Sequence, residues 1–288
     1  MDRHRQVLLA GIPTPVSAPP GYEFAQKFYA YSDVSAGTIT MPADLVSAYM
    51  LDAVGHSGGI PSAAEAVLND HGSGGAGGGA FARSLAKRLK NIGAGDVLPA
   101  TIGQNRTSTV SSALTDKTGQ VVISADYGRN CSAASGGLPG LKENCIGDIV
   151  RSGGRGGDAA SGGGGRGGGG GGGAGWIGGN GEDGATTASS GGGLGGRGGG
   201  KAGGVGGVSG VSDGGPGVAG DTFADALHGP GSGGGGAAAT GASTTNPGAG
   251  GQLGGAPGGL SCRTAGVGGT IPSSSAGGLH LTYLRLIP

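Results

Sequence analysis

Apolar and polar positions alternate through the first half of this chain and all but vanish from the second, until its last dozen residues. Residues 22–31 (YEFAQKFYAY) read as a strand, with Tyr22, Phe24, Phe28 and Ala30 on one face and Glu23, Lys27 and Tyr29 on the other. A turn at 35–37 leads into TIT at 38–40, which Pro42 terminates. Residues 46–54 (VSAYMLDAV) form a mostly apolar run, as expected of a central strand buried on both faces. Ser62 and Glu65 have capping-box spacing, so a short helix is predicted over 62–70, with Gly72 as its stop. The run at 72–80 is a flexible or extended insert. Residues 81–92 fit two periods. Phe81, Leu85, Leu89 and Ile92 share a helical face, whereas Phe81, Leu85 and Leu89 also share a strand face; periodicity alone favours the helix. VLPATIG at 97–103 is strand-like, and Pro99 places it toward a sheet edge. Thr109–Leu114 and Gln120–Ala125 are the arms of a hairpin turned by DKTG.

Beyond about residue 151 the sequence thins to glycine with small residues until GGLHLTYLRLIP at 277–288. A strand bearing Leu279, Leu281, Tyr283, Leu284 and Leu286 gains nothing in solvent and needs a sheet to join. The expectation is that it returns to the sheet built by residues 22–125, making 151–278 a long insertion tethered at both ends. Loop-closure entropy allows this because it grows only logarithmically with length. The implied organisation is an irregular docking arm (1–21), a β-rich domain (22–150 with 279–288) and a glycine-rich insertion (151–278). The fold class is mainly β, a β-sandwich-like domain with that insertion extended, in one of two readings as polyglycine-II-like helices.

Composition sharpens this picture. Of 77 glycines in 288 residues, 21 fall in residues 1–150 and 56 in 151–288. Lys plus Arg (18) equals Asp plus Glu (18), so no net charge gathers nucleic acid or anionic lipid. No apolar run is long enough for a membrane span, and the apolar stretch after MDRHRQ is too short for an export signal. The spacing is not that of collagen, and Cys131, Cys145 and Cys262 are too scattered for a disulfide scaffold or a zinc site.

Two readings of the glycine part stand side by side. One is a disordered linker, since each glycine loses much freedom on ordering and little apolar surface offsets it. The other is an array of extended three-residue helices. Their outward-pointing backbone groups bond to neighbours, which only glycine lets approach closely enough. In that case Arg166, Trp176, Arg197 and Lys201 sit at turns or on the outer face.

The order of these elements resembles the glycine-rich domain of tail fibres and other tail proteins of tailed bacteriophages. The resemblance runs through TITMPAD (38–44), LDAVGHSGG (51–59), GGGAFARSL (77–85), GAGDVLPATIG (93–103), the hairpin at 109–125 and the final GGLHLTYLRLIP. Asp44 stands where the pattern has glycine, His56 interrupts the first glycine run, and 62–70 is extra. The resemblance implies that 81–92 is a strand, against the helical period. It also implies a structural or adhesin module of the virion tail, assembled in the host cytoplasm. Expected partners are other virion proteins through the N-terminal arm, further copies of the chain (a trimer favoured) and a host-surface glycan or protein.

Residues with chemistry add little else. GGRGGGKA at 195–202 nearly fits a phosphate loop, but Ala202 replaces the hydroxyl residue and no strand precedes it. RGG at Arg155, Arg166 and Arg197 lacks the aromatics and net charge of an RNA binder. The histidines are scattered, so no catalytic, metal or cofactor site is expected. Cys131 and Cys145 could close a loop, but in a reducing cytoplasm they are expected as thiols. Trp176 is either a receptor-stacking contact, with Arg166, Arg197 and Lys201 as further candidate receptor contacts, or an anchor for the glycine segments. Alternative functions are a cellular glycine-rich wall or surface protein, and an RGG-type RNA-binding protein.

Overall fold

A computed structural model of the chain describes residues 17–60, 72–104, 109–132, 134–159, 167–187, 192–198, 203–206, 231–237, 246–259, 262–263, 266–267 and 273–288. The predicted helix at 62–70, Arg166, Lys201 and most of the N-terminal arm lie outside the described residues. The fold is mainly β, with eleven strands among the described residues: β1 (Tyr22–Tyr29), β2 (Thr38–Thr40), β3 (Ser47–Val54), β4 (Phe81–Leu85), β5 (Val97–Thr101), β6 (Ser112–Thr115), β7 (Val121–Ala125), β8 (Ile149–Arg151), β9 (Cys262–Arg263), β10 (Gly266–Val267) and β11 (Gly278–Leu286). There are two antiparallel sheets, ordered β1-β11-β3-β4-β8 and β2-β5-β6-β7, and a separate minimal β9-β10 pair.

The C-terminal residues occupy the interior of the larger sheet. β11 pairs with β1 on one side (Tyr22↔Leu286 to Tyr29↔Leu279) and with β3 on the other. Its alternation decides its orientation: Leu279, Leu281 and Tyr283 enter the core between the sheets, whereas Leu286 is 61% exposed. Leu51, Ala53 and Ala82 meet Leu98, Leu114 and Ile123 of the second sheet in that same core. Asp44, where glycine was expected, fastens the end of β11. It accepts a hydrogen bond from Tyr283 Oη (3.1 Å) and pairs with Arg285 (3.5 Å), which also pairs with Glu23 (2.7 Å).

Two local expectations need correction, and the inward face of β1, which the sequence left open, is settled. In β1 the core-facing side chain is Tyr29, with Ala25 beside it, while Phe28 packs on the opposite face against Val54, Phe81 and Leu253. Both faces of β1 have partners, so alternation could not say which one was inward. Residues 81–92 are neither a helix nor one long strand. Only 81–85 pair, and the chain then turns, returning Leu89 and Ile92 to the core through tertiary packing. β5 is an interior strand despite Pro99. Ala100 donates its N–H toward β2, to Gly37 O, so Pro99 faces the other side, where pairing with β6 covers only Ala100 and Thr101. The missing donor is therefore not needed.

The hairpin turn is built on Asp116. Its carboxylate accepts from Thr118 N–H (2.8 Å), Thr118 Oγ1 (2.6 Å), Gln120 N–H (3.1 Å) and Asn91 Nδ2 (3.0 Å). Gly119 supplies the positive φ (+85°) the turn requires. Burial raises the Asp116 pKa, but these hydrogen bonds outweigh it and bring it down to about 2.

Candidate functional site: a glycine array and the groove beside it

Strands of both sheets run on into glycine, and there the two layers merge. β3 leads into 55–60, 72–80 lead into β4, β8 leads into 152–158, and β7 of the other sheet leads into 126–131. Side chains ordinarily hold facing sheets about 10 Å apart. Without them the backbones come within hydrogen-bonding distance.

Residues 75–80 show the resulting pattern. Gly75, Ala76 and Gly77 donate their N–H groups to Gly157, Pro257 and Arg129. The next three, Gly78, Gly79 and Ala80, repeat the sequence of partners with Gly154, Gly254 and Asp126, all at 2.9–3.1 Å. Successive residues thus point to three different neighbours, and the pattern recurs every three residues, the period of a three-residue-per-turn extended helix. The carbonyls of 73–80 accept in the same rhythm from 169–175, 137–140 and 55–58. Segment 73–80 is therefore ringed by six others: 55–58, 126–129, 137–140, 154–157, 169–175 and 254–257. Each ring member bonds to the next, and the last link runs through Ser275, which accepts from Ser57 N–H and donates its hydroxyl to Gly255 O (2.6 Å).

Segment 168–175 has a ring of its own, formed by 73–79, 154–157, 182–185, 193–196, 231–237 and 256–259. Two fused hexagons of backbone result. A Cβ built on Gly75, Gly78, Gly170 or Gly173 would stand 1.8–2.1 Å from a neighbouring carbonyl oxygen. The array draws on residues on both sides of 151, so described residues of the two halves share one hydrogen-bonded body. Where the array does hold methyl groups, they cluster: Ala76 and Ala256 meet Ile60 and Cys131.

The outer face carries the side chains, again every third residue. Leu194 and Arg197 are exposed, as are Glu182 and Ala185. Asn180, Asp183 and Thr186 form one column, whose side-chain oxygens accept the N–H groups of Ser152 (3.1 Å), Arg155 (2.7 Å) and Asp158 (3.1 Å). Side chains thus close backbone donors that would otherwise face water. Arg155 pairs with Asp158 (2.7 Å), and Arg197 lies 4.0 Å from Glu182.

Trp176 closes a tight turn with Gly179 through reciprocal backbone hydrogen bonds of 3.0 and 3.1 Å. Its indole lies over Gly178, where an added Cβ would meet Cη2 at 2.5 Å. The anchor of this turn is the next residue, Ile177, which packs against Val54, Phe81 and Leu253 on the outer face of the larger sheet. Beside the turn runs a groove of about 790 Å³, lined by Lys142, Glu143, Arg151, Gly178, Gly179 and Asn180 among others. Arg151 ends β8 opposite Phe81. Asp148 also borders the groove but is engaged by Leu85 N–H (2.8 Å), Arg88 (3.1 Å) and Lys87 (3.2 Å). Burial opposes ionisation of its carboxyl, and these donors nonetheless hold its pKa below the usual range.

Two buried polar groups lie away from this groove. Asp52 faces Arg83 and His280 across β4 and β11, and Arg83 grips its carboxylate with two bonds of 2.6 and 2.7 Å. Burial holds the His280 pKa down, with Asp52 opposing and Arg83 reinforcing that shift. The nearby Ser84 hydroxyl donates to Val122 O (2.7 Å), so this row braces the sheet. Cys131 and Cys145 are free thiols, and burial pushes their pKa values up to about 12 and about 11. Among the described residues no group of His, Cys, Asp or Glu could hold a metal, and no helix is long and apolar enough to cross a membrane.

Sequence reasoning placed Trp176 and Arg197 where side chains have room, and the structure puts the first at a turn and the second on the outer face. It missed Arg151, Lys142 and Glu143, which are distant in sequence from the tryptophan and meet it only through the array. The order of apolar strand, arginine and glycine at 149–154 marked the spot, but without a partner to identify. The chain matches no protein-family model and no curated protein.

Proposed function

We propose that the chain is a structural component of a bacteriophage tail, in a tail fibre or at the tail tip, and that the outer face of its glycine array contributes to host attachment. The observation that carries this reading is the fused hexagonal array grown directly out of a β-sandwich. Its interior is mainly backbone with a few small side chains, and its larger and charged side chains stand at turns and rim. Such a body suits display, because rim residues can vary without altering an interior held mainly by backbone and a few small side chains. The sequence resemblance points the same way.

The reading includes attachment to other virion proteins through the N-terminal arm and self-association, with a trimer favoured. The rim donors of 152–158 are closed by Asn180, Asp183 and Thr186, so oligomer contacts belong elsewhere than on this column. The test is gold labelling of the protein on intact particles, together with adsorption of particles carrying Trp176→Ala plus Arg197→Glu. Label at the tail and at least tenfold slower adsorption, with normal particle assembly, are expected. Absence of the label from particles overturns the virion assignment, and unchanged adsorption removes the attachment role.

A further inference from the structure

We propose that the groove between β8 and the Trp176 turn binds a saccharide bearing an anionic group, with Arg151 receiving the anion. The proposal rests on the attachment reading above and names its ligand class. Among the described residues every other arginine with a placed side chain has an acidic partner: Arg83 with Asp52, Arg88 with Asp148, Arg129 with Asp126, Arg155 with Asp158, Arg197 with Glu182 and Arg285 with Glu23. Arg151 has none. Its Nη1 donates to Val150 O (3.2 Å), and its Nε is buried without a hydrogen-bond partner. A buried guanidinium N–H left unmade is costly, and a planar fork of donors fits carboxylate or phosphate oxygens. Of the two acids lining the groove, Asp148 is already engaged by Lys87 and Arg88, and Lys142 adds a second cation to the lining beside Glu143.

The remainder of the groove suits a sugar. Gly178 and Gly179 present bare backbone, the indole stands directly over Gly178, and Asn180 and Glu143 offer hydrogen-bonding groups for hydroxyls. The Trp176 indole backs Gly178 rather than lining the groove; bare backbone flanked by a few convergent polar groups suits a hydroxyl-rich ligand, and a volume of about 790 Å³ lies within the range of small-molecule pockets. A carboxylate on a uronic acid and a phosphate on a phosphorylated sugar share the required chemistry.

The full-length protein is titrated with methyl β-glucuronide, glucose 6-phosphate and methyl β-glucoside, with binding followed by calorimetry and tryptophan fluorescence. At least one charged sugar is expected to bind tenfold or more tightly than the neutral one and to quench or enhance Trp176, the single tryptophan. Arg151→Gln should remove that preference, and Arg151→Lys should restore part of it, with thermal unfolding unchanged in both. A response to glucuronide alone identifies a carboxylate ligand, and a response to the phosphate alone identifies a phosphosugar. Equal binding of charged and neutral sugars overturns the proposal, as does a preference that survives Arg151→Gln. So does capture of an extended peptide without response to any sugar. The two readings fail separately. Charged-sugar binding by a protein absent from particles defeats only the tail assignment. Normal tail labelling and impaired adsorption without charged-sugar binding defeat only this inference.

Discussion

At a glycine of the array, what matters is the missing Cβ. Among the described array glycines only Gly254 has φ in the left-handed region, so the others occupy backbone geometry open to any residue. Their constraint is distance. Gly170 donates to Ala185 O and accepts from Gly157 N–H, and a methyl group there would lie 1.8 Å from Leu194 O. The obstacle is backbone held by its own hydrogen bonds, so no rotamer change can make room. Gly170→Ala is expected to destabilise the protein by about 3 kcal/mol or more, at or above the usual range for overpacking. Ala76→Gly, which removes a methyl from the cluster with Ile60 and Cys131, should cost only about 1 kcal/mol. Chemical denaturation of both variants checks the contrast, and comparable losses would mean that the close approach is not what selects glycine.

Among elements, the hairpin β6-β7 is the one whose stability is tied to a single ionised group. Asp116 holds the turn from within, and its pKa is brought down to about 2, against about 3.9 in an unfolded chain. A carboxyl lowered by folding stabilises the native state above its unfolded pKa, and that contribution fades as pH falls through the folded value. Asp116→Asn should therefore reduce stability by about 1–3 kcal/mol at pH 7, the range of hydrogen bonds to a charged group, and by little at pH 2. Denaturation midpoints of both proteins across pH 2–7 measure this, and a pH-independent gap would show that the charge is irrelevant. This turn was legible in the sequence because a turn is local chemistry: DKTG carries its own acceptor and its own glycine. The strands at 22–29, 47–54 and 278–286 were legible because apolar residues in short runs need a sheet. Residues 86–92 were not, because Leu89 and Ile92 are drawn inward by a core assembled from distant segments, which no local period reports. The groove was hidden for the same reason. Arg151 and Trp176 are brought together by hydrogen bonds between glycine segments, and glycine carries no side-chain pattern from which a register can be read.

For the whole molecule the question is whether sandwich and array are one cooperative unit. The array has few side chains of its own with which to nucleate, and extended glycine segments give up much conformational entropy before their mutual bonds compensate. The sandwich supplies the alignment. β3, β4, β7 and β8 enter the array already in register, so segments 55–58, 73–80, 126–129 and 154–157 start as neighbours. Segment 168–175 can then add to a surface whose spacing is set. β11 is an interior strand of the larger sheet, next to β3, with Leu281 fully buried between Lys27 on β1 and Leu51 on β3 in register. Leu281→Asp places an uncompensated charge in that core, a change for which several kcal/mol is ordinary. The expected result is loss of amide-exchange protection in the sheets and, together with them, in 73–80 and 168–175, although neither segment touches the substitution. Hydrogen exchange read by mass spectrometry on the wild type and the variant decides the matter. In the wild type these two ringed segments should be among the slowest to exchange, since their N–H groups are enclosed on every side. If the variant loses its sheets while the glycine segments stay protected, the array holds itself together without the sandwich, and its order must come from backbone bonding alone.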